Sequence, residues 1–229
     1  MVVCWSSGIG IQEGESPMKR IALTFDDGPN TSITPQVLDL LEEHQIVGTF
    51  FLIADSITPE SAEQSRRAFR MGCDIENHSR THGFMNQMPV EQIREEVRYC
   101  TEKIIEITGK PPKFFRPPYI AMSQEMYDNI DLTFICGAGC EDWVPTVSAR
   151  ERAERVLAHA EDGQIVLLHD MPHNENTVEA LKTIIPELKK RGYEFVTVAQ
   201  LFEKSGIQPV RNRLYSNVYQ TTDDPRNPD

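Results

Sequence analysis

No stretch of the sequence approaches the ~20 consecutive apolar residues that a membrane-spanning helix needs. The sequence shows neither the basic start nor the long apolar core of a secretory leader, so on sequence grounds a cytoplasmic chain is expected. Positive charge is scarce, with Lys+Arg 23 against Asp+Glu 35 and a net charge of -12, so phosphate backbones and anionic lipid surfaces are poor partners. Nucleic acid is excluded on that basis. The five cysteines, Cys4, Cys73, Cys100, Cys136 and Cys140, form no Cys-x-x-Cys pair, and an odd number cannot all pair within one chain. They read as mostly free and buried, which agrees with a reducing compartment. There is no Gly-x-Ser-x-Gly to support a serine hydrolase, and no internal repeat.

What the chain does have is Ile21-Ala22-Leu23-Thr24-Phe25-Asp26-Asp27-Gly28-Pro29, an apolar, β-prone run that ends in two adjacent carboxylates and a turn. Like charges repel and resist burial, so a cation is expected beside them. Further apolar runs at 48–53, 73–76, 113–115, 132–136, 165–168 and 193–198 predict six more strands, with helices near 59–71, from Pro89 to 108, at 148–160 and at 176–190. Pro186 is expected to kink or shorten the last of these. About seven βα units at 229 residues predict an α/β fold, a parallel sheet of seven or eight units closed into a barrel, with an open doubly wound sheet as the alternative. Residues 1–17 read as a flexible extension, 18–205 as the domain, and 206–229 as a polar tail, much of it loop.

In a parallel α/β fold the reacting groups collect at the carboxyl ends of the strands. Asp26 and Asp27 follow the first strand, His78 the third and Arg116 the fourth; Asp142 lies beyond the fifth, and His169 follows the sixth. His78 and His82, at i and i+4, are expected on one face of a helical turn, close enough to hold one ion. With Asp27 they form a His, His and carboxylate set that leaves positions open on a metal. Asp26 would then stand beside the activated water as general base, with Arg116 keeping it ionised. In Arg116-Pro117-Pro118-Tyr119 the prolines donate no N–H, so the first free amide belongs to Tyr119, a fixed donor suited to an oxyanion. His169 is a natural general acid, Asp142 could hold its second ring nitrogen, and Trp143 could wall the pocket against a sugar face.

Together these stretches resemble the polysaccharide deacetylase family, the NodB-homology or carbohydrate esterase family 4 enzymes. Thr24–Pro29, His78–His82, Arg116–Tyr119, Glu141–Trp143 and Leu167–His169 are similar to its five motifs, in order, over roughly residues 20–205. The resemblance implies a distorted barrel and one divalent metal, zinc foremost with cobalt, nickel or manganese as alternatives, held by Asp27, His78 and His82. It implies Asp26 as base, His169 as acid, Tyr119 as oxyanion donor, Arg116 and Asp142 as their orienting partners, and Leu167 with Trp143 against the substrate. The expected activity is removal of an N-acetyl group from a GlcNAc-containing glycan. A polymeric substrate of that kind would lie outside the cell, against the cytoplasmic expectation. The alternatives are O-deacetylation of xylan and a non-catalytic glycan-binding relative. Two places depart from the family pattern, Ile120 where glycine is usual and Gly139 where an aspartate is usual, and Glu76 adds an unexplained charge.

Overall fold

The computed structural model describes residues 18–220; the expected extension at 1–17 and the final residues 221–229 lie outside the described part. Parity along β1 (Lys19–Asp26) sets up two interiors, because successive side chains of a strand point to opposite faces. Ile21, Leu23 and Phe25 pack outward among residues of α1 (Thr34–Glu43) and α6 (Glu175–Lys190). Ala22 belongs to a separate cluster with Phe51, Phe114, Ile135, Ile165 and Tyr215, which fills the space inside the strands. Both faces are covered, so these strands read as unbroken apolar runs.

The other strands are β2 (Thr49–Leu52), β3 (Asp74–Asn77), β4 (Phe114–Phe115), β5 (Thr133–Ile135), β6 (Ala138–Gly139), β7 (Gln164–His169), β8 (Tyr193–Phe195) and β9 (Leu214–Tyr215). They run parallel in the order β6-β7-β1-β2-β3-β4-β5-β9, with β8 also on β1. From β1 to β5 each strand lies beside the next in one direction, as in a barrel, so the doubly wound alternative does not hold.

The segment after Ser205, expected largely as loop, completes this ring. Cys136 and Gly137 N–H donate to the Tyr215 carbonyl on the β5 side, while Ile165 N–H donates to the Ser216 carbonyl and Val218 N–H to the Gly163 carbonyl on the β7 side. Leu214, Tyr215 and Val218 are buried in the process. Such a short strand carries no periodic signal, and its polar neighbours disguise it. Val218→Ala should therefore cost about 2 kcal/mol, the transfer of two methyl-sized groups plus a small cavity, read as a lower urea midpoint.

Between the strands lie α2 (Pro59–Arg70), α3 (Val90–Thr108), α4 (Gln124–Asn129) and α5 (Ala149–His159), and α7 (Val198–Ser205) follows β8. Capping boxes at Thr58/Ser61, Ser148/Glu151 and Thr197/Gln200 start three of them, satisfying amides that have no helical partner. α7 plugs the ring at the amino ends of the strands through Val198, Leu201 and Phe202. α6 is not shortened by Pro186: Ile184, Ile185 and Leu188 around it are buried, and that packing outweighs one lost bond. No helix among the described residues is long and apolar enough to cross a membrane.

Candidate active site

Parallel pairing puts the ends of adjacent strands at one level. Asp26, the last residue of β1, is in register with His169 at the end of β7 and with Phe51 of β2. Past that level the chain turns sharply, and Asp27, Ser79, His82, Tyr119, Ile120 and Glu141 all take positive φ. Non-glycine residues resist that conformation, and its concentration in the loops of one rim marks a place where geometry is held against local preference.

Asp27, His78 and His82 converge there, each offering a ligand atom within 4.8 Å of the others. The two imidazole Nε2 atoms stand 3.4 Å from Asp27 Oδ1, too far for good hydrogen bonds. That oxygen is buried and has no hydrogen-bond partner among the described residues. His78 Nδ1 lies 2.6 Å from the Arg116 carbonyl, which can only accept, so Nδ1 carries a proton and Nε2 is the ring nitrogen turned to Asp27. Burial alone would raise the Asp27 pKa, but the neighbouring His78, with His169 and His82, more than offsets it and brings it to about 2. Burial and then the His78 charge push the His82 pKa down. Two imidazole nitrogens and a carboxylate oxygen facing one another fit a divalent ion of the zinc or cobalt type.

The histidines do not reach this arrangement on a helical turn, as their spacing suggested. Residues 78–82 form a loop with Ser79 and His82 left-handed, pinned from α3 by buried Glu96, which accepts from Arg80 N–H at 3.0 Å, Thr81 N–H at 2.8 Å and Thr81 Oγ1 at 3.0 Å. A carboxylate that takes three donors replaces the hydrogen bonds a helix would have supplied.

Asp26 faces a different partner. Its Oδ1 accepts from Arg116 Nη1 at 2.6 Å, and the same Nη1 donates to Thr24 Oγ1 at 2.8 Å. The Arg116 guanidinium is fully buried, 4.2 Å from the Phe51 ring centroid, and its Nε and Nη2 have no partner among the described residues. A buried guanidinium with so few acceptors depends on Asp26 for its counter-charge.

Across the rim, Asp142 binds His169 twice, accepting from its backbone N–H at 2.7 Å and its Nδ1 at 2.8 Å. Thr177 Oγ1 donates to Asp142 at 2.9 Å, and Arg152 donates to Thr177 Oγ1 and to Asn174 Oδ1. Burial opposes a charged His169, yet the Asp142 bond and charge, then Asp26 and Asp27, raise its pKa to about 9. Its Nε2 is thereby left as a proton donor toward the cleft.

The cleft between these groups has a volume of about 520 Å³ and is lined by Tyr119, Ile120, Gly139, Trp143 and Leu167 as well as the charged residues. Tyr119 is left-handed at φ 58, and the two N–H groups after it donate to the Pro117 and Pro118 carbonyls. Ile120 is also left-handed at φ 53, an expensive state for a β-branched residue and the reason a glycine would sit there more easily. Trp143 leans edge-on to His169, with ring centroids 5.5 Å apart. A Cβ on Gly139 would come within 3.3 Å of the Trp143 ring, so the missing side chain and the tryptophan share one wall.

The model of the polysaccharide deacetylase family matches residues 13–134, just over half of the chain. This chain belongs to that family. A bifunctional xylanase/deacetylase of Pseudobutyrivibrio xylanivorans is 46% identical over 216 residues, covering 93% of this chain and 36% of its own. The peptidoglycan-N-acetylglucosamine deacetylase PgdA of Listeria monocytogenes is 36% identical over 185 residues, covering 80% of this chain and 39% of its own. The chain thus spans well under half the length of both relatives. Among solved structures, a family 4 acetyl xylan esterase from Clostridium thermocellum, in complex with a cobalt ion, superposes with a TM-score of 0.85 at 40% identity, covering 88% of this chain and all of that one.

For a polysaccharide deacetylase, the ten residues singled out from sequence all fall on one rim. Sequence reading missed Thr24, whose inward parity with Asp26 on β1 was available, and Glu96, Arg152, Asn174 and Thr177, which carry no local signal because they act through distant partners. Glu76 is not a site residue. It points into the strand ring and accepts from Lys113 N–H at 2.7 Å and Phe114 N–H at 2.8 Å, and burial pushes its pKa up to about 8.

Proposed function

We propose that this chain is a metal-dependent carbohydrate deacetylase that hydrolyses acetyl groups from a glycan. One observation carries the reading: three ligand atoms meet within 4.8 Å, with a buried Asp–Arg pair on one side and an Asp–His pair on the other, all opening into one cleft. Asp27, His78 and His82 would hold the ion, zinc first, with cobalt, nickel or manganese suited to the same donors. Such an ion polarises an acyl carbonyl and makes water more acidic. Asp26 takes the proton of the attacking water, and Arg116 holds Asp26 ionised and aimed. The Tyr119 N–H donates to the oxygen that becomes negative as the carbonyl carbon turns tetrahedral. His169 gives its Nε2 proton to the departing oxygen or nitrogen, and Asp142 keeps that proton in place beforehand. Water and the acetylated sugar become acetate and the free hydroxyl or amine. Leu167 closes on the acetyl methyl, and Trp143 on the sugar.

The higher identities are with xylan-linked proteins, 46% and 40% against 36% for the peptidoglycan enzyme, and they favour an O-acetyl ester of xylan over the N-acetyl group expected from the motifs. The peptidoglycan relative keeps the N-acetyl glycan as a second reading. Acetate release should be measured on acetylxylan, chitin oligomers and peptidoglycan, after chelation and after adding back zinc or cobalt. Release is expected to be fastest on acetylxylan, to vanish with chelator and to return with either ion. Glycan binding without acetate release by the metal-loaded protein would make it a non-catalytic relative.

A further inference from the structure

Large apolar side chains left in water are unusual enough to mean something when they cluster. Three exposed aromatics, Phe84, Tyr119 and Trp143, stand at the rim of the cleft, at 51%, 56% and 48% exposure. Tyr119 and Trp143 line the cleft, whereas Phe84 lies one ring farther out. Its ring stacks on that of Tyr119, with centroids 4.1 Å apart and planes 15° from parallel, and Tyr119 in turn meets His82 at 4.6 Å. The row His82, Tyr119, Phe84 therefore leads from the ligand cluster outward along one side of the opening. The side chain that anchors this loop in the core is Met85, which is buried, and Phe84 beside it is left at the surface.

Resting on the deacetylase reading above, we propose that the Phe84–Tyr119 stack is a sugar-binding platform for the ring next to the one that carries the acetyl group. A pyranose presents a face of C–H groups that is apolar and flat, and an aromatic ring removes it from water without asking for hydrogen bonds. The stack is held before any ligand arrives. A turn at Met85–Gln87 is closed by Gln87 N–H on the Phe84 carbonyl and Met88 N–H on the Met85 carbonyl, so little side-chain freedom is lost on binding. Phe84 thus selects glycan chains over single acetylated sugars and leaves the chemistry to the cleft.

A purely positioning role makes a different prediction, because Phe84 also steadies the left-handed Tyr119. Phe84→Ala and Phe84→Leu should be assayed with a small aryl acetate and with acetylated xylo- and chito-oligosaccharides of two to six rings. The ratio of kcat/KM on the hexamers to that on the aryl acetate is expected to fall roughly 3- to 10-fold, the size of one aromatic contact, and mainly through KM. Phe84→Trp should restore it. An equal loss on every substrate would mean that the ring only positions Tyr119, and the platform would be abandoned. Calorimetric titration of the unacetylated xylose and glucosamine hexamers needs no turnover, so it separates this proposal from the reaction itself. Weaker binding of either hexamer by Phe84→Ala supports the platform even if no acetate is ever released. Equal binding by wild type and variant, or no binding of either hexamer by wild type, overturns it.

Discussion

Asp26→Asn is expected to cut acetate release by roughly 10²- to 10⁴-fold, the range for loss of a general base, while metal content stays that of the wild type. The substitution is nearly isosteric and leaves Asp27, His78 and His82 in place, so its effect isolates the proton-accepting oxygen. It also has a second consequence. Arg116 is fully buried and takes its only counter-charge within hydrogen-bond reach, among the described residues, from Asp26 at 2.6 Å. Removing one member of a buried pair costs about 3–5 kcal/mol, and here the Thr24 hydroxyl and the Phe51 ring can recover only part of it. The variant should melt earlier yet still fold, and the assay belongs well below its melting temperature. Asp27→Asn should behave in the opposite sense, losing metal first and activity as a result. A variant at Asp26 that loses its metal and one at Asp27 that keeps it would exchange the two roles.

These two carboxylates show why much of the site was legible. A parallel α/β chain ends each strand on the same rim, so Asp26, His78, Arg116 and His169 could be brought together from their places after apolar runs alone. The two neighbours part only in the folded chain, where Asp26 is still in the strand and points inward with Ala22 and Thr24, whereas Asp27 has left it at φ 73. What was not legible depends on partners far along the chain. The loop that turns His82 toward His78 is fixed by Glu96, which within its own helix looks like any other polar position. A hydrogen-bond network from α5 and α6 supports Asp142, and no local pattern announces that Arg152 and Thr177 are buried. The ring of strands is completed by residues 214–218, which are too few to show a period and sit in a polar stretch. Strand ends follow from local chemistry; loop conformation and ring closure follow from contacts that only the folded chain brings together.

The imidazole of His169 is expected to titrate near 9 in the metal-free protein, and Asp142→Asn should bring it back toward the ordinary value near 6.5. Burial by itself pushes this group down, so the whole upward shift is owed to carboxylates, first Asp142 by bond and charge, then Asp26 and Asp27. Between about 6.5 and 9 the folded protein holds a proton that the unfolded chain has released. The stabilisation, about 3 kcal/mol, is therefore complete below pH 6.5 and is lost as pH rises through 9. NMR titration of the histidine ring and melts between pH 6 and 10 would read this directly, and Asp142→Asn should flatten the decline over that window. Catalysis should suffer in parallel. A general acid must carry its proton at the working pH, and without Asp142 a buried, neutral His169 has nothing to give the leaving group, for a loss of roughly 10²- to 10⁴-fold. Asp142 offers one oxygen to the His169 backbone N–H at 2.7 Å and the other to its Nδ1 at 2.8 Å, and because asparagine keeps a single acceptor oxygen the same change also loosens the end of β7 on which the imidazole stands. The two effects separate by pH. A misplaced ring loses activity equally at every pH, whereas an acid with a lowered pKa loses least on the acidic side, where His169 is protonated even without its partner.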